Sequence, residues 1–327
     1  MYNMKGEFMK KVIFIFSIIF LAFATVSCTP DIEEHDVYVT VYPMAFIVDE
    51  LFENTEHTVE IVPGTTSHEI SVEWAPKEII AMKNAELLFY VGANYDQYID
   101  KKLNVFENAN VDIIKIEDQS DYLTYIPGVI HDHDHDEEGT ETFDNTSLGL
   151  DPHFWISPKR MLQVLELVYD QLVSHFPTSK ETFKVNYADL KMRLTELDNV
   201  YREGISKMTK PALTSTNLYG YLEADYGFQF IPISSGYHEK PDELLPDDAE
   251  HIIDEINHHQ ITTIIYEKNK TSPASNNIFE EMELLSLEPQ KLQFNVLQNL
   301  SDDDINENKD YISEMMMNLT VIIQAGR

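Results

Sequence analysis

The residues of this chain with the clearest chemistry are its histidines. His131, His133 and His135 alternate with aspartates in HDHDHDEEG. Neutral imidazole is a borderline ligand that suits zinc, copper and nickel, and a neighbouring carboxylate adds to it. The stretch 131–149 has almost no apolar residues. It predicts a loop that binds metal loosely and exchanges it fast. A solvated acidic loop that meets metal only by chance is the plainer reading, and the strict alternation of His speaks against it. Two further histidines occupy better-defined places. His68 lies in PGTTSHE, after a segment that ends in Pro63-Gly64. Loops at the carboxyl ends of parallel strands are where α/β sheets place ligands. His153 lies in DPHFWISP, between the turn set by Asp151-Pro152 and Pro158, which enters a helix. That puts His153 at a fixed corner. Two imidazoles do not fill a zinc shell, which usually has four ligands. His238 and Glu239 in SSGYHEKPDE, and Glu267 at the end of ITTIIYE, are the candidates to complete it. Their plainer readings are a surface loop for His238 and a supporting or helix-capping carboxylate for Glu267.

Such residues need strands and turns to hold them. Residues 37–42, 58–64, 86–92 and 111–116 read as strands, and 44–53, 75–84 and 95–106 as helices between them. The run ELLFYVG is continuously apolar, as a buried parallel strand is. Two helices follow the His-Asp tract. Leu162, Leu165, Tyr169, Leu172 and Phe176 recur at helical spacing in the first, which Pro177 ends. Leu190, Leu194, Leu197 and Tyr201 line one face of the second. Beyond Gly204 the alternation restarts. A helix is expected within 213–227, a strand at FQFIPI, a helix over 247–259 and a strand at ITTIIYE. Helices over 272–285 and 302–324 close the chain. Two α/β lobes therefore flank a helical connection.

Lys and Arg number 23 against 57 Asp and Glu, a net charge of −34, which repels nucleic acid and anionic membrane surfaces. The N-terminus reads as a secretory signal, with Lys5, Lys10 and Lys11 before an apolar run over 12–24 that is too short to span a bilayer. Cys28, the only cysteine, excludes an intramolecular disulfide. It follows the small residues ATVS and resembles the diacylated cysteine of bacterial lipoproteins, with Thr25 where those usually carry Leu. Residues 29–36 would be the tether. An enzyme, a zinc hydrolase built on His68 and His153, would need an open coordination position and a general base. The chain has no HExxH, nucleophile elbow or phosphate loop.

The chain resembles the zinc- and manganese-binding solute-binding proteins of ABC importers, the cluster A-I family. Tyr42-Pro43, the segment carrying His68, ELLFYVG, the His-rich loop, DPHFWISP, NYADLKMRLTELD, YGYLEADYG, ITTIIYE and the final MMMNL carry the likeness. The resemblance implies two α/β lobes with parallel sheets, joined by one long rigid helix, with the metal in the cleft between them. It divides the chain into a signal peptide (1–27), a tether (28–36), an N-terminal lobe (37–178), a linking helix (179–208) and a C-terminal lobe (209–327). It implies His68 and His153 as first-lobe ligands, and zinc rather than manganese, because a His-rich loop accompanies zinc in this family. It also implies a permease partner, a lipid anchor at Cys28 on the extracytoplasmic face of the cell membrane, a monomer, and no enzymatic activity. The second lobe departs from the pattern. The family's third ligand, His or Glu, falls on Thr216, and its fourth, usually Asp, falls on Asn295. A same-fold binding protein with another ligand, or an adhesin, is the alternative.

Overall fold

The computed structural model of the protein describes residues 33–64, 72–128, 149–237, 244 and 246–327. Its body carries two four-stranded sheets, all parallel. The first comprises β1 (Val37–Val39), β2 (Val59–Ile61), β3 (Leu87–Tyr90) and β4 (Asp112–Lys115), in the order β2-β1-β3-β4. The second comprises β5 (Ala212–Thr214), β6 (Phe230–Pro232), β7 (Thr263–Glu267) and β8 (Gln290–Phe294), in the order β6-β5-β7-β8. The two sheets therefore repeat one topology that no sequence repeat announces. In each, the chain turns one way after its first strand and the other way after its second. The switch point lies between β1 and β3 in one lobe and between β5 and β7 in the other, the place where open parallel sheets bind ligands.

Central strands are buried along their whole length: VYV in β1, LLFY in β3, ALT in β5 and TIIYE in β7. Helices cover them. These are α1 (Tyr42–Phe52), α2 (Pro76–Asn84) and α3 (Gln97–Asp100), then α4 (Pro158–His175) and α5 (Lys180–Ile205). The second lobe adds α6 (Gly220–Tyr226), α7 (Pro246–His259), α8 (Pro273–Leu284), α9 (Asp302–Asn306) and α10 (Tyr311–Ala325). Helix α5 has 26 residues and is about 39 Å long at 1.5 Å per residue. Its face of Leu190, Leu194, Leu197 and Tyr201 is buried, and it packs on α1 of one lobe, on α4, and on α10 of the other lobe. No helix among the described residues is long and apolar enough to cross a membrane.

Four elements depart from the sequence reading. Strands β5 and β8 were not expected. β5 is only three residues long, and β8, QKLQF, is a sheet edge whose first residues are exposed. Neither offers the apolar run that marks a buried strand. The single helix expected over 95–106 is instead α3 followed by a 3-10 turn, Leu103–Phe106. Lys83 Nζ donates to the Val105 carbonyl at 3.0 Å and holds that turn. The closing helix is two helices. Asn308 adopts a left-handed φ of 52°, and Asp310 caps the start of α10 by accepting from the Ser313 N–H at 2.7 Å.

The lobes are fastened through the corner at Asp151–Ser157. Trp155 Nε1 donates to the Val296 carbonyl at 2.9 Å, and the Tyr311 hydroxyl donates to the Trp155 carbonyl at 2.6 Å. The Tyr221 hydroxyl donates to the Asp151 carbonyl at 2.9 Å. Asp225, on α6, receives Ser157 Oγ at 2.8 Å, Arg160 Nε at 2.7 Å and Lys159 Nζ at 2.9 Å, all from the start of α4. Burial works against its charge, but these donors outweigh it and hold the carboxyl below the usual range.

Candidate metal centre

His153 is fully buried. Its neighbours Phe154, Trp155 and Ile156 form a buried 3-10 turn that leads into α4 at Pro158, so the backbone leaves the ring little freedom. Asp151 fixes the ring directly. Its Oδ1 accepts from the His153 backbone N–H at 2.9 Å and lies 2.9 Å from Nδ1. A carboxylate only accepts, so Nδ1 carries the proton and the lone pair resides on Nε2. This carboxylate–imidazole pairing is the arrangement that orients a metal-ligating histidine. Around the ring stand Trp155 at 5.3 Å between centroids, Tyr95 at 6.3 Å and Tyr237 at 4.9 Å, all edge-on. Gly220 at the head of α6 permits the close approach of the second lobe. A Cβ there would stand 2.9 Å from Asp151 Oδ2, and that carboxylate is 2% exposed and already bonded.

The carboxyl edge of the second sheet presents Ser234, Thr216, Glu267 and Asn295 from its four strand ends, all buried. Thr216 Oγ1 donates to Glu267 Oε1 at 3.0 Å across the β5/β7 switch point. Glu267 Oε2 stands 3.9 Å from Lys270 Nζ. Asn295 faces the other way. Its Oδ1 accepts from the Leu297 N–H at 3.0 Å and its Nδ2 donates to Glu314 Oε2 at 2.7 Å. Asn318 pairs with both backbone groups of Asn295, accepting from its N–H at 2.8 Å and donating to its carbonyl at 2.7 Å. Asn295 is thus stitched to α10, beside Lys268, Lys309 and the buried Asp304 and Glu314. Three hydroxyls in this lobe, those of Tyr219, Ser234 and Tyr237, are buried without a hydrogen-bond partner in the protein. An unsatisfied buried hydroxyl costs about 1–3 kcal/mol, so each of the three needs a reason. Burial, and after it the Glu267 carboxylate, push the Tyr219 hydroxyl well above its ordinary pKa.

The described residues therefore hold His153 with Asp151 on one side and Glu267 with Thr216 on the other. Tyr237 links the two lobes: its ring lies on His153, and it directly precedes His238. His68, His131, His133, His135, His238, Glu239 and Cys28 lie outside the described residues. Among the described residues, no three His, Cys, Asp or Glu gather closely enough to hold a metal. Sequence reasoning treated Asp151 as a turn former and missed it as the partner of Nδ1. The D-x-H spacing was the available signal, since an acid two residues before a histidine at a turn can fold back on it. Tyr219, Gly220 and Tyr237 carried no such signal.

Residues 37–325 match the family model described as zinc-uptake complex component A, periplasmic. The chain is 27% identical over 300 residues to the zinc-binding lipoprotein AdcA of Streptococcus pneumoniae, an alignment covering 88% of this chain and 55% of that protein. It is 24% identical over 302 residues to the high-affinity zinc uptake system protein ZnuA of Bacillus subtilis, covering 88% of this chain and 86% of that one. The chain spans about half the length of the AdcA proteins it matches. In fold it is similar to the crystal structure of the Zn(II)-bound ZnuA-like domain of Streptococcus pneumoniae AdcA. The TM-score is 0.70 at 24% identity, with 90% of this chain and 99% of that one covered.

Proposed function

The chain belongs to the zinc-uptake complex component A family, and from that premise we propose that it captures zinc outside the cytoplasm and hands it to the permease of an ABC importer. The observation that carries this reading is the buried His153 ring, held through Nδ1 by Asp151 in the tautomer whose lone pair is on Nε2. His68 is the second imidazole of the first lobe. His238 supplies the third, and Tyr237 on His153 supports this by bringing its segment to the site. The fourth position falls to Glu267 or to water. A three-imidazole shell favours zinc over manganese, which prefers oxygen. His131, His133 and His135 form an accessory, fast-exchanging site, and acyl chains on Cys28 hold the monomeric protein at the membrane. Zinc is cargo in this reading, and no reaction is assigned to it.

Zinc titration of the metal-free chain, with and without residues 131–138, tests this. One tight equivalent should survive the deletion, exceed manganese in affinity, and weaken as pH falls below about 6.5, where imidazole protonates. If the deletion abolishes all binding, the cleft is not the site. A second reading draws on Thr216 and Asn295, whose polar side-chain atoms are already bonded within the lobe. Under it, the same fold binds something other than a bare metal, and the chain would take up no stoichiometric zinc.

A further inference from the structure

We propose that the turn from Val91 to Asp96 is a positioning device for the metal histidine, wound left-handed and held there so that Tyr95 braces the His153 ring. This rests on the zinc reading above and adds to it the residue that sets the plane of its imidazole.

The backbone is the starting point. Gly92, Ala93 and Asn94 take φ of 81°, 48° and 60°. Among the described residues no other three in succession are left-handed. A short polar side chain such as that of Asn94 eases this conformation, and the methyl group of Ala93 does not. Such a run persists only where its surroundings over-determine it. Here the N–H groups of three successive residues are each taken by a carboxylate. Val91 donates to Asp96 Oδ2 at 2.6 Å, Gly92 to Asp96 Oδ1 at 2.8 Å and Ala93 to Glu117 Oε2 at 2.9 Å. The Tyr95 N–H closes the turn on the Gly92 carbonyl at 2.8 Å, and the Tyr125 hydroxyl holds the Val91 carbonyl at 2.7 Å. Lys115 Nζ stands 3.0 Å from the same Glu117 oxygen. Residue 92 has no room for a side chain. A Cβ there would stand 2.6 Å from Glu117 Oε2 and 2.7 Å from Lys115 Cε.

The turn carries Tyr95, which is buried. Its ring meets His153 edge-on at 6.3 Å between centroids and Trp155 edge-on at 5.3 Å. Asp151 fixes the imidazole at one corner, Nδ1. A hydrogen bond at one corner leaves a tilt about it, and flanking rings set that tilt. Of the three described rings beside the imidazole, Trp155 belongs to the same 3-10 turn and Tyr237 to the second lobe. Tyr95 reaches it from a separate element of the first lobe. The first lobe can therefore aim Nε2 before a cation arrives, and ordering a ligand in advance raises its affinity.

The test is a double-mutant cycle on the full, metal-free chain, read as zinc chloride affinity against a chromophoric indicator. Tyr95→Ala should weaken zinc about tenfold, the low end of what loss of an orienting partner costs. Gly92→Ala, which drives Glu117 and Lys115 off the turn, should weaken it by a similar factor. Because both act through one ring, the double variant should lie within about threefold of the weaker single, not fall about 100-fold. Tyr95→Phe keeps the ring and should restore affinity to within about twofold of the parent. Ile252→Ala, in the separate core beside α7, controls for lost stability. It should melt lower and bind zinc as the parent does. Tyr95→Ala within about twofold of the parent overturns the proposal. So do losses that multiply in the double variant, or an equal loss in Ile252→Ala. Should Gly92→Ala not fold, the two Tyr95 variants still decide. If the parent chain takes up no zinc, or His153→Ala leaves tight binding unchanged, the zinc reading falls and the proposal with it. Loss in His153→Ala beside parent-like binding in Tyr95→Ala sinks the role of the turn alone.

Discussion

The two switch points of this molecule are built alike and finished differently. At the first, Thr40 Oγ1 donates to Asp96 at 2.6 Å, and at the second Thr216 Oγ1 donates to Glu267 at 3.0 Å. Both pairs join a hydroxyl just past the first strand of a sheet to a carboxylate at or beyond the third. Asp96 is wholly buried and also accepts from the N–H groups of Val91 and Gly92, at 2.6 and 2.8 Å. Its oxygens are spent on holding the loop after β3. Glu267 sits on a strand end with a hydroxyl on one oxygen and a lysine at 3.9 Å from the other. The same hydroxyl–carboxylate pair thus locks the first lobe and equips the second. The imidazole is placed the opposite way: among the described residues, the first-lobe corner supplies His153, and the edge of the second sheet supplies oxygen and amide groups.

The largest effect expected from this contrast is on metal. His153→Ala should lower zinc affinity by about 100-fold or more, since even loss of a group that only orients a ligand costs 10–100-fold. Titration against an indicator checks it. A drop of less than threefold would mean that the corner is structural.

Stability should follow the opposite lobe. Asp96→Ala removes the acceptor for three buried donors, and a loss of about 3 kcal/mol in urea unfolding is expected. Glu267→Ala removes the acceptor of the Thr216 hydroxyl and should cost less, about 1 kcal/mol. Equal losses would erase the distinction between a locking and an equipping carboxylate.

The fastening between the lobes has a pH signature. The folded pKa of Asp225 lies below its unfolded value, because Arg160, Lys159 and Ser157 outweigh burial. Its stabilisation is therefore fully present above about pH 4, the unfolded carboxylate value, and is lost as pH falls through the lower folded value. Asp225→Asn should be less stable than the parent by about 3 kcal/mol at pH 7. The two proteins should converge in melting temperature as pH drops below about 4. A gap that persists unchanged in acid would show that packing, not charge, joins α6 to α4.

Much of this is legible in the sequence. The run ELLFYVG marks β3 because a parallel strand covered on both faces reads as unbroken apolar sequence, and the Leu and Tyr stripe of α5 marks the connecting helix. His153 could be picked out because prolines on both sides fix its corner. What escaped were features that exist only across the fold. β5 is three residues whose partners lie far along the chain, and β8 is a polar edge. Gly220 matters because a second lobe meets Asp151 there. The orphan hydroxyls of Tyr219 and Tyr237 cannot be told from satisfied ones in sequence, since every tyrosine carries the same group.

The smallest effect concerns Asn295, where the resemblance expects an acidic ligand. Restoring that acid by Asn295→Asp looks like a repair, but the side chain is aimed at α10. Its Nδ2 meets Glu314 Oε2 at 2.7 Å, and its Oδ1 already holds the Leu297 N–H. A carboxylate there would set two acceptors against each other beside a glutamate that is 1% exposed. Lys268 at 3.4 Å and Lys309 at 3.2 Å from the Glu314 oxygens offset part of that repulsion. The expected outcome is a loss of about 1 kcal/mol in unfolding free energy at pH 7. Because like charges favour a shared proton, the loss should shrink as pH falls toward about 4. Zinc affinity should change by less than about threefold, since a ligand turned into the lobe contributes nothing to the cleft. A tenfold gain in zinc affinity would instead show that residue 295 can swing out to the metal. Lobe two would then keep a direct ligand position that asparagine leaves idle, and the contrast between an imidazole lobe and an oxygen lobe would come down to one side chain.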